Sequence, residues 1–230
     1  MTEDFSEFSS AIDLAENPDP RCPVVLVLDS SSSMAEILSG ESESALQALN
    51  SGLDTLVTEL NKDPLAKRRV EISVVSYGSE VTPATPFATV ENLVLPTLVP
   101  SGTTNMGEAL VVALDAIAAR KKEYKAAGVE YYRPWILNIT DGLSTTSLDE
   151  AARRIKEEEA AKKLAFFSVG VEGADFDKLK TLSASREPLQ LKGIKFNELF
   201  VWLSASQSAV SASTPGDGVD LPSPSGWASI

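Results

Sequence analysis

Histidine is absent from this chain of 230 residues, and cysteine occurs once, as Cys22. Without histidine the chain cannot contain a Ser-His-Asp or Cys-His catalytic arrangement, nor a zinc site with a histidine ligand. A secreted domain more often carries paired cysteines, so the single cysteine favours a cytoplasmic protein. We expect Cys22 to be a small packed side chain rather than a reactive one.

Long apolar runs and net positive charge are lacking as well. No apolar run is long enough to span a bilayer, and the first residues, MTEDFSEF, are acidic where a secretory signal is basic and then apolar. The 20 basic and 33 acidic residues give a formal net charge of −13, which opposes phosphate backbones and anionic lipid. We therefore expect a cytoplasmic protein whose partners are neither nucleic acid nor membrane.

Composition divides the chain into three parts. Residues 1–21 are predicted to be an acidic N-terminal tail, and residues 22–212 a single folded domain, because a chain of this length can form one core without disulfides or metals. Residues 213–230 are rich in proline, glycine and serine, and we expect them to lack regular structure. Trp227 in that segment must pack either on its own domain or on a partner. The N-terminal tail contains three apolar residues with helical spacing, and it could dock on the domain as a helix: Phe5, Phe8 and Ile12.

Two kinds of apolar pattern alternate through the domain. Continuous runs predict buried strands, and three- and four-residue spacings predict helices packed on a sheet. The strands are expected at 24–28, 70–77, 135–140, 164–171 and 189–191. The helices are expected at 44–61, 106–127, from 147 onwards, 176–182 and 196–210.

This alternation predicts an α/β fold with a doubly wound, mostly parallel central sheet flanked by helices. Segment 81–90 contains two prolines, so we expect it to be an edge strand, and an antiparallel one. Gly128 is placed to end the second long helix, and the sequence SLDE at 147–150 has the form of a capping box.

Oxygen-bearing side chains follow the predicted strands. Asp29, Ser31 and Ser33 come after the first strand, Thr104 lies in the loop before the second long helix, and Asp141 follows the third buried strand. Ligands of open α/β sheets bind at the carboxyl ends of the strands. Two carboxylates and three hydroxyls, with no nitrogen or sulfur, suit Mg²⁺, Mn²⁺ or Ca²⁺ and disfavour zinc or copper. With only two anionic ligands, the ion would keep waters and could accept a further carboxylate.

Each part of this set also has a purely structural interpretation. Asp29 and its serines could cap a helix, and Thr104 could do the same. Asp141 and Gly142 could form a simple turn. The occurrence of all three parts in this order favours a metal site.

The pattern Asp29-x-Ser31-x-Ser33, followed by Thr104 and Asp141, resembles the metal-ion-dependent adhesion site (MIDAS) of von Willebrand factor A (VWA) domains, which have a Rossmann-like fold. The stretches NMGEAL, YYRPWILNITDG and AFFSVGVEGAD, and SGW in the proline-rich ending, are similar to the bacterial TerY-like proteins of tellurite-resistance systems. The resemblance covers about residues 22–210.

This resemblance implies roles for the five residues. Ser31 and Ser33 would bind the metal directly, Thr104 would join them when a partner engages, and Asp29 and Asp141 would bind directly or through water. The implied function is non-enzymatic: the cation takes an Asp or Glu from a partner protein. The implied setting is a bacterial stress-response, tellurite-resistance or phosphorylation-linked assembly, with a kinase-, phosphatase- or ATPase-type partner.

Two other function classes stay open. The alternative is a Mg²⁺-dependent phosphoryl-transfer or phosphohydrolase enzyme with Asp29 as the nucleophile. Against it, Ser31 and Ser33 stand where such a site would want a second acid, and no phosphate-binding GxxxxGK[ST] or GxGxxG sequence follows a strand. A third possibility is a structural subunit with an empty site.

Overall fold

A computed structural model of the chain describes residues 14, 16–141 and 144–229. Most of the predicted tail 1–21, including its apolar stripe, lies outside these residues, and so does Gly142. The division into an acidic tail, one domain and a C-terminal segment stays a prediction.

Seven strands are present in the described part of the chain: β1 (Cys22–Asp29), β2 (Val70–Tyr77), β3 (Ala88–Thr89), β4 (Trp135–Thr140), β5 (Ala165–Gly170), β6 (Leu189–Leu191) and β7 (Ala228–Ser229). They form one sheet in the order β3-β2-β1-β4-β5-β6-β7, and all neighbours are parallel except the edge pairs β2–β3 and β6–β7. The predicted α/β fold with a mostly parallel, doubly wound sheet is confirmed. The central strands are mostly apolar because both of their faces are covered.

The predicted edge strand at 81–90 is much shorter than expected. Only Ala88–Thr89 pairs with β2, in the antiparallel sense, and Val81 forms an isolated bridge to Tyr77. Pro83 and Pro86 have no N–H group to donate to a neighbouring strand, so the segment between the bridge and β3 does not pair as a strand.

The helices pack on both faces of this sheet. They are α1 (Ala45–Leu60), α2 (Ala66–Arg69), α3 (Met106–Ala127), α4 (Asp149–Ala160), α5 (Phe176–Lys180) and α6 (Phe196–Ala212). Both predicted ends of α3 are confirmed, and Gly128 ends that helix with a φ of 68°, in the left-handed region that glycine adopts easily. No helix among the described residues has both the length and the apolar character that a membrane span requires.

The capping box lies on a different helix from the one predicted. Ser44 Oγ accepts from the Gln47 N–H at 3.2 Å, and Gln47 Oε1 accepts from the Ser44 N–H at 3.0 Å, at the start of α1. The box predicted at 147–150 is wrong, because α4 begins only at Asp149. Ser147 Oγ accepts from the Asp149 N–H instead, which closes a local turn.

The side chains of β1 divide the core into two layers. Val24, Leu26 and Leu28 belong to the apolar cluster under α1 and α6. Val25 and Val27 point to the other face, into the cluster under α3 and α4. Since helices cover both faces of the sheet, a ligand can reach the central strands only at their ends.

The single cysteine is part of this interior. Cys22 is buried at the start of β1, and burial raises the pKa of its thiol well above the usual range. The packed, unreactive role predicted for it agrees with this environment.

The C-terminal segment is more ordered than its composition predicts. Residues 224–226 form a 3₁₀ turn, and Ala228–Ser229 adds β7 to the edge of β6, so the expected lack of regular structure is wrong there. Trp227 is 2% exposed and packs on Trp202, with ring centroids 5.3 Å apart. Trp227 therefore docks on its own domain, and burial of the indole offsets the conformational cost of ordering a proline- and serine-rich segment.

A buried ionic network joins three elements and was not predicted. Glu71 on β2 is fully buried, and its Oε1 accepts from Arg21 Nε and from Arg120 Nη2, both at 2.8 Å. Its Oε2 accepts from Arg120 Nε at 3.0 Å and from the Tyr124 hydroxyl. Arg21 precedes β1 and Arg120 lies on α3, so one carboxylate links two strands and a helix.

Candidate metal site

Two acidic residues that are far apart in the chain meet at one edge of the sheet. Asp29 is the last residue of β1, and Asp141 directly follows β4. These strands are parallel neighbours, with Leu28 paired to Ile139, so their carboxyl ends lie side by side. This is the edge at which open α/β sheets bind their ligands.

Asp29 is held in a fixed orientation by neutral donors. Its Oδ1 accepts from the Ser31 N–H at 2.9 Å, and its Oδ2 accepts from Thr140 Oγ1 at 2.6 Å. The residue is 0% exposed, and burial raises the pKa of its carboxyl to about 6. The hydrogen bonds from Thr140 and Ser31 lower that pKa, whereas the charge of Asp141 raises it. The charged neighbour that acts on Asp29 is therefore another acid.

Two serine hydroxyls bridge the acids. Ser31 Oγ lies 3.1 Å from Ser33 Oγ, and Ser33 Oγ donates to Asp141 Oδ2. Ser31 and Asp141 are buried, and Ser33 is half-buried. The structure thus brings Asp29, Ser31, Ser33 and Asp141 into one cluster of oxygen atoms.

Thr104 lies in a loop that is hydrogen-bonded both to the loop after β1 and to the loop after β4. The Ser101 N–H donates to the Ser30 carbonyl at 2.7 Å, and the Ser32 N–H donates to the Gly102 carbonyl at 2.9 Å. The Thr104 carbonyl accepts from the N–H and the hydroxyl of Thr145, at 2.9 and 3.0 Å. Thr104 itself is buried. Among the described residues, its hydrogen bonds to Thr145 are made by its backbone carbonyl.

Glycine allows the Thr104 loop to approach the end of β2. A Cβ atom on Gly78 would lie 1.8 Å from the Ser101 carbonyl oxygen, so a side chain there would push the loop away. The Ser79 N–H donates to that same carbonyl at 2.9 Å, and the Gly78 carbonyl accepts from the Asn105 N–H at 3.0 Å. The loop is thereby fixed on the strand that neighbours β1.

Residue patterns alone missed three of the groups that build this site. Thr140 orients Asp29, Ser30 donates its hydroxyl to the Tyr77 carbonyl at 3.0 Å, and Gly78 seats the Thr104 loop. The signal for Thr140 was present, because it is a polar residue at the end of an apolar strand, directly before an acid. Gly78 offered a weaker signal as a glycine directly after a buried strand.

Comparison with known families agrees with this architecture. The model of the von Willebrand factor type A domain matches residues 24–196. This chain belongs to the VWA family. No curated protein matches it at a significant level.

Solved structures share the VWA fold at low sequence identity. The pilus adhesin SpaC from Lactobacillus rhamnosus GG has a TM-score of 0.65 and 12% identity, over 84% of this chain and 32% of that one. The mussel byssus protein PTMP1, with a zinc-occupied MIDAS motif, has a TM-score of 0.51 and 16% identity, over 84% and 49%. The D319A mutant of the minor pilin PilB from Streptococcus sanguinis has values of 0.52 and 14%, over 86% and 64%.

These similarities concern the fold alone. This chain spans less than two thirds of each of the three neighbours, so their activities as whole proteins do not transfer to it. The family predicted from the Asp-x-Ser-x-Ser pattern is confirmed at the level of the VWA domain. Membership of the TerY-like group, and a bacterial source, stay predictions.

Proposed function

We propose that this VWA domain is a metal-ion-dependent protein-interaction module. Asp29, Ser31, Ser33, Thr104 and Asp141 would hold a divalent cation, which would supply the positive charge that binds an Asp or Glu carboxylate of a partner protein. The observation that carries this proposal is the buried cluster in which two acids are joined by serine hydroxyls, while the charge acting on Asp29 comes from the second acid.

The donor set fits a hard divalent cation. Mg²⁺, Mn²⁺ and Ca²⁺ prefer carboxylate, hydroxyl and water oxygens, and the cluster offers oxygen atoms of these protein types. Two neighbouring acids repel each other when both are ionised, and a cation between them removes that repulsion. PTMP1 holds zinc in its MIDAS motif, so zinc belongs among the ions to be tested alongside Mg²⁺.

The chain's own residues set up the site before a partner arrives. The Ser31 N–H and the Thr140 hydroxyl fix both oxygens of Asp29, and Ser33 orients Asp141. When bound, the cation would supply a positive charge that attracts a carboxylate from outside. Thr104 is anchored through its backbone carbonyl, which leaves its hydroxyl for the site. We expect this hydroxyl to join the ligands of the cation when a partner is engaged.

The enzymatic alternative is less well supported by the geometry. A nucleophilic carboxylate needs an oxygen atom that can reach a phosphorus atom. Both oxygens of Asp29 accept hydrogen bonds from the protein, and the residue is 0% exposed. An acid that is so enclosed is better placed to hold an ion than to attack a substrate.

The cellular setting follows from the resemblance to TerY-like proteins. We place the module in the cytoplasm of a bacterium, in a stress-response or tellurite-resistance assembly. A kinase-, phosphatase- or ATPase-type protein would supply the carboxylate. The sequence stretches shared with the TerY-like proteins support this setting, and recovery of the partner from the source cell would test it.

Binding of Mg²⁺ should stabilise the fold. A ligand that binds only the folded state at a hundredfold excess over its Kd contributes about 2.7 kcal/mol, which for a domain of this size raises Tm by roughly 5–10 °C. Thermal unfolding in chelator, and in increasing Mg²⁺, Mn²⁺, Ca²⁺ or Zn²⁺, measures this effect and ranks the ions. An unchanged Tm with all four ions would contradict the proposal.

Capture of a carboxylate can be tested with acetate as the probe. Protein-bound Mn²⁺ that retains water accelerates proton relaxation of the solvent, and acetate should lower this relaxation by displacing a bound water. Thr104→Val should retain Mn²⁺ binding but require more acetate, because it lacks the hydroxyl that completes the site. Acetamide, which is neutral and of the same shape, is the matched control. Equal effects of acetate and acetamide would refute capture of an anion while leaving metal binding intact.

A further inference from the structure

A groove of about 860 Å³ opens at the amino ends of β4 and β5, whereas the candidate metal site lies at the carboxyl ends of the strands. Its walls include the C-terminal halves of α3 and α4, the segments that lead into β4 and β5, and residues 213–221 after α6. Tyr131, Val219 and Leu221 are half-buried and provide apolar surface within it, whereas Tyr132 and Trp135 line it but are almost completely buried. We call this cavity the basic groove, for the charge of its lining.

Positive charge is concentrated there although the whole chain is acidic. Eight basic and three acidic side chains line the groove, an excess of five positive charges in a chain of net charge −13. Three of the eight form salt bridges: Lys121, Arg154 and Arg186. Among the described residues, the other five are exposed and form no salt bridge: Lys122, Lys125, Arg133, Lys162 and Lys163. Like charges at this density favour an anionic occupant.

The sequence has a segment of the complementary chemistry directly before Leu14. Residues 1–13 contain no lysine or arginine, and they combine two phenylalanines with four acids: Glu3, Asp4, Glu7 and Asp13. Leu14 follows directly and is 2% exposed, in a cluster with Tyr124 and Val129 against which Tyr131 packs. Since Tyr131 also lines the groove, Leu14 is an anchor near the rim of the groove for the segment that precedes it in the chain.

We propose that residues 1–13 occupy the basic groove of the same chain. Carboxylates of the segment pair with the lysines that have no salt-bridge partner among the described residues, and Phe5 and Phe8 pack on the half-buried Tyr131, Val219 and Leu221. Thirteen residues reach at most about 43–47 Å when fully extended, which is ample for a groove that begins at the anchor. A short tether also gives an effective concentration on the order of millimolar, which favours this segment over a free acidic peptide.

Carbodiimide crosslinking of the full chain tests this contact. The reagent joins a carboxylate to a lysine amine as an amide when the two groups touch, and takes up the water that is lost. Trypsin then releases residues 1–21 as one peptide, because Arg21 is the first basic residue of the sequence. We expect at least fivefold more crosslinks from Glu3, Asp4 and Glu7 to the groove lysines than to Lys156 and Lys195. These two control lysines are also exposed, form no salt bridge among the described residues and lie outside the groove.

Salt, variants and isotope mixing decide between the outcomes. The screening length falls from about 30 Å at 0.01 M salt to about 3 Å at 1 M, so high salt should reduce the groove crosslinks several-fold. The variant Phe5→Ala/Phe8→Ala, which retains every carboxylate, should reduce them as well. Equal labelling of control and groove lysines, or no crosslink to the groove, would overturn the proposal. Crosslinks found only between chains in a mixture of ¹⁴N- and ¹⁵N-labelled protein would overturn it in favour of a second copy as the occupant.

Discussion

Replacement of Glu71 by glutamine is expected to lower the free energy of unfolding by about 3–5 kcal/mol. Glu71 is the carboxylate that both Arg21 and Arg120 contact, and all three side chains are almost completely buried. Glutamine retains the shape but removes the negative charge. Arg21 then loses its buried ion pair, and Arg120 loses one of its ion pairs while it keeps the one with Glu123. Removing one partner of a buried ion pair destabilises the fold, whereas replacing the whole pair by apolar residues is often neutral or stabilising.

Urea unfolding of Glu71→Gln and of a surface control measures this difference. Glu150 forms an ion pair with Arg153, but both side chains are more than half exposed. Glu150→Gln should therefore change the free energy of unfolding by less than about 0.5–1 kcal/mol. A cost below about 1 kcal/mol for Glu71→Gln would contradict this prediction and would show that the remaining partners, such as Glu123 for Arg120, compensate for the lost charge.

The second large effect concerns the candidate metal site. Asp29→Asn is expected to abolish the stabilisation by Mg²⁺, a loss of about 2.7 kcal/mol at a hundredfold excess over Kd, while the fold is retained. An asparagine oxygen can still accept from the Ser31 N–H, and its amide can donate to the Thr140 hydroxyl. Alanine is a poorer test, because it removes the oxygens that accept from both of these donors, and the loss of an acceptor for a buried donor costs roughly 1–3 kcal/mol.

Ser32→Ala is the matched control for Asp29→Asn. Ser32 lies in the same loop, but its side chain is exposed and it contributes its backbone N–H to the Gly102 carbonyl. The response of Tm to Mg²⁺ should therefore persist in Ser32→Ala. A full Mg²⁺ response in Asp29→Asn would remove Asp29 from the ligand set, and unfolding of that variant would make Asp29 a structural residue.

Much of the fold could be predicted because its signals are local. The run from Val70 to Tyr77 is apolar enough to be recognised as a buried strand with both of its ends. Met106 to Ala127 was recognised from apolar spacing and from Gly128 at its end. The proposed ligands were found in the same way, since Asp29 and Asp141 stand directly after apolar runs.

The predictions that failed depended on which side chains meet. Ser147 and Glu150 have the spacing of a capping box, but the helix begins later, and the box forms at Ser44 and Gln47 instead. Residues 224–229 were expected to lack structure, yet Trp227 finds a pocket beside Trp202. In both cases local propensity competes with contacts that the linear pattern does not contain.

The sequence by itself determined the VWA framework and the chemistry at the ends of its strands. Apolar periodicity places the strands and helices, and the residues that follow each strand are already acids and hydroxyl side chains. Only the tertiary structure decided that β1 and β4 are neighbours, and hence that Thr140 orients Asp29 and Ser33 bridges to Asp141. It also decided that Glu71 meets two arginines, and that basic residues from separate segments line one groove. The physical reason is that strand order and long-range packing follow from burial of the whole apolar surface at once, which no short stretch of sequence encodes.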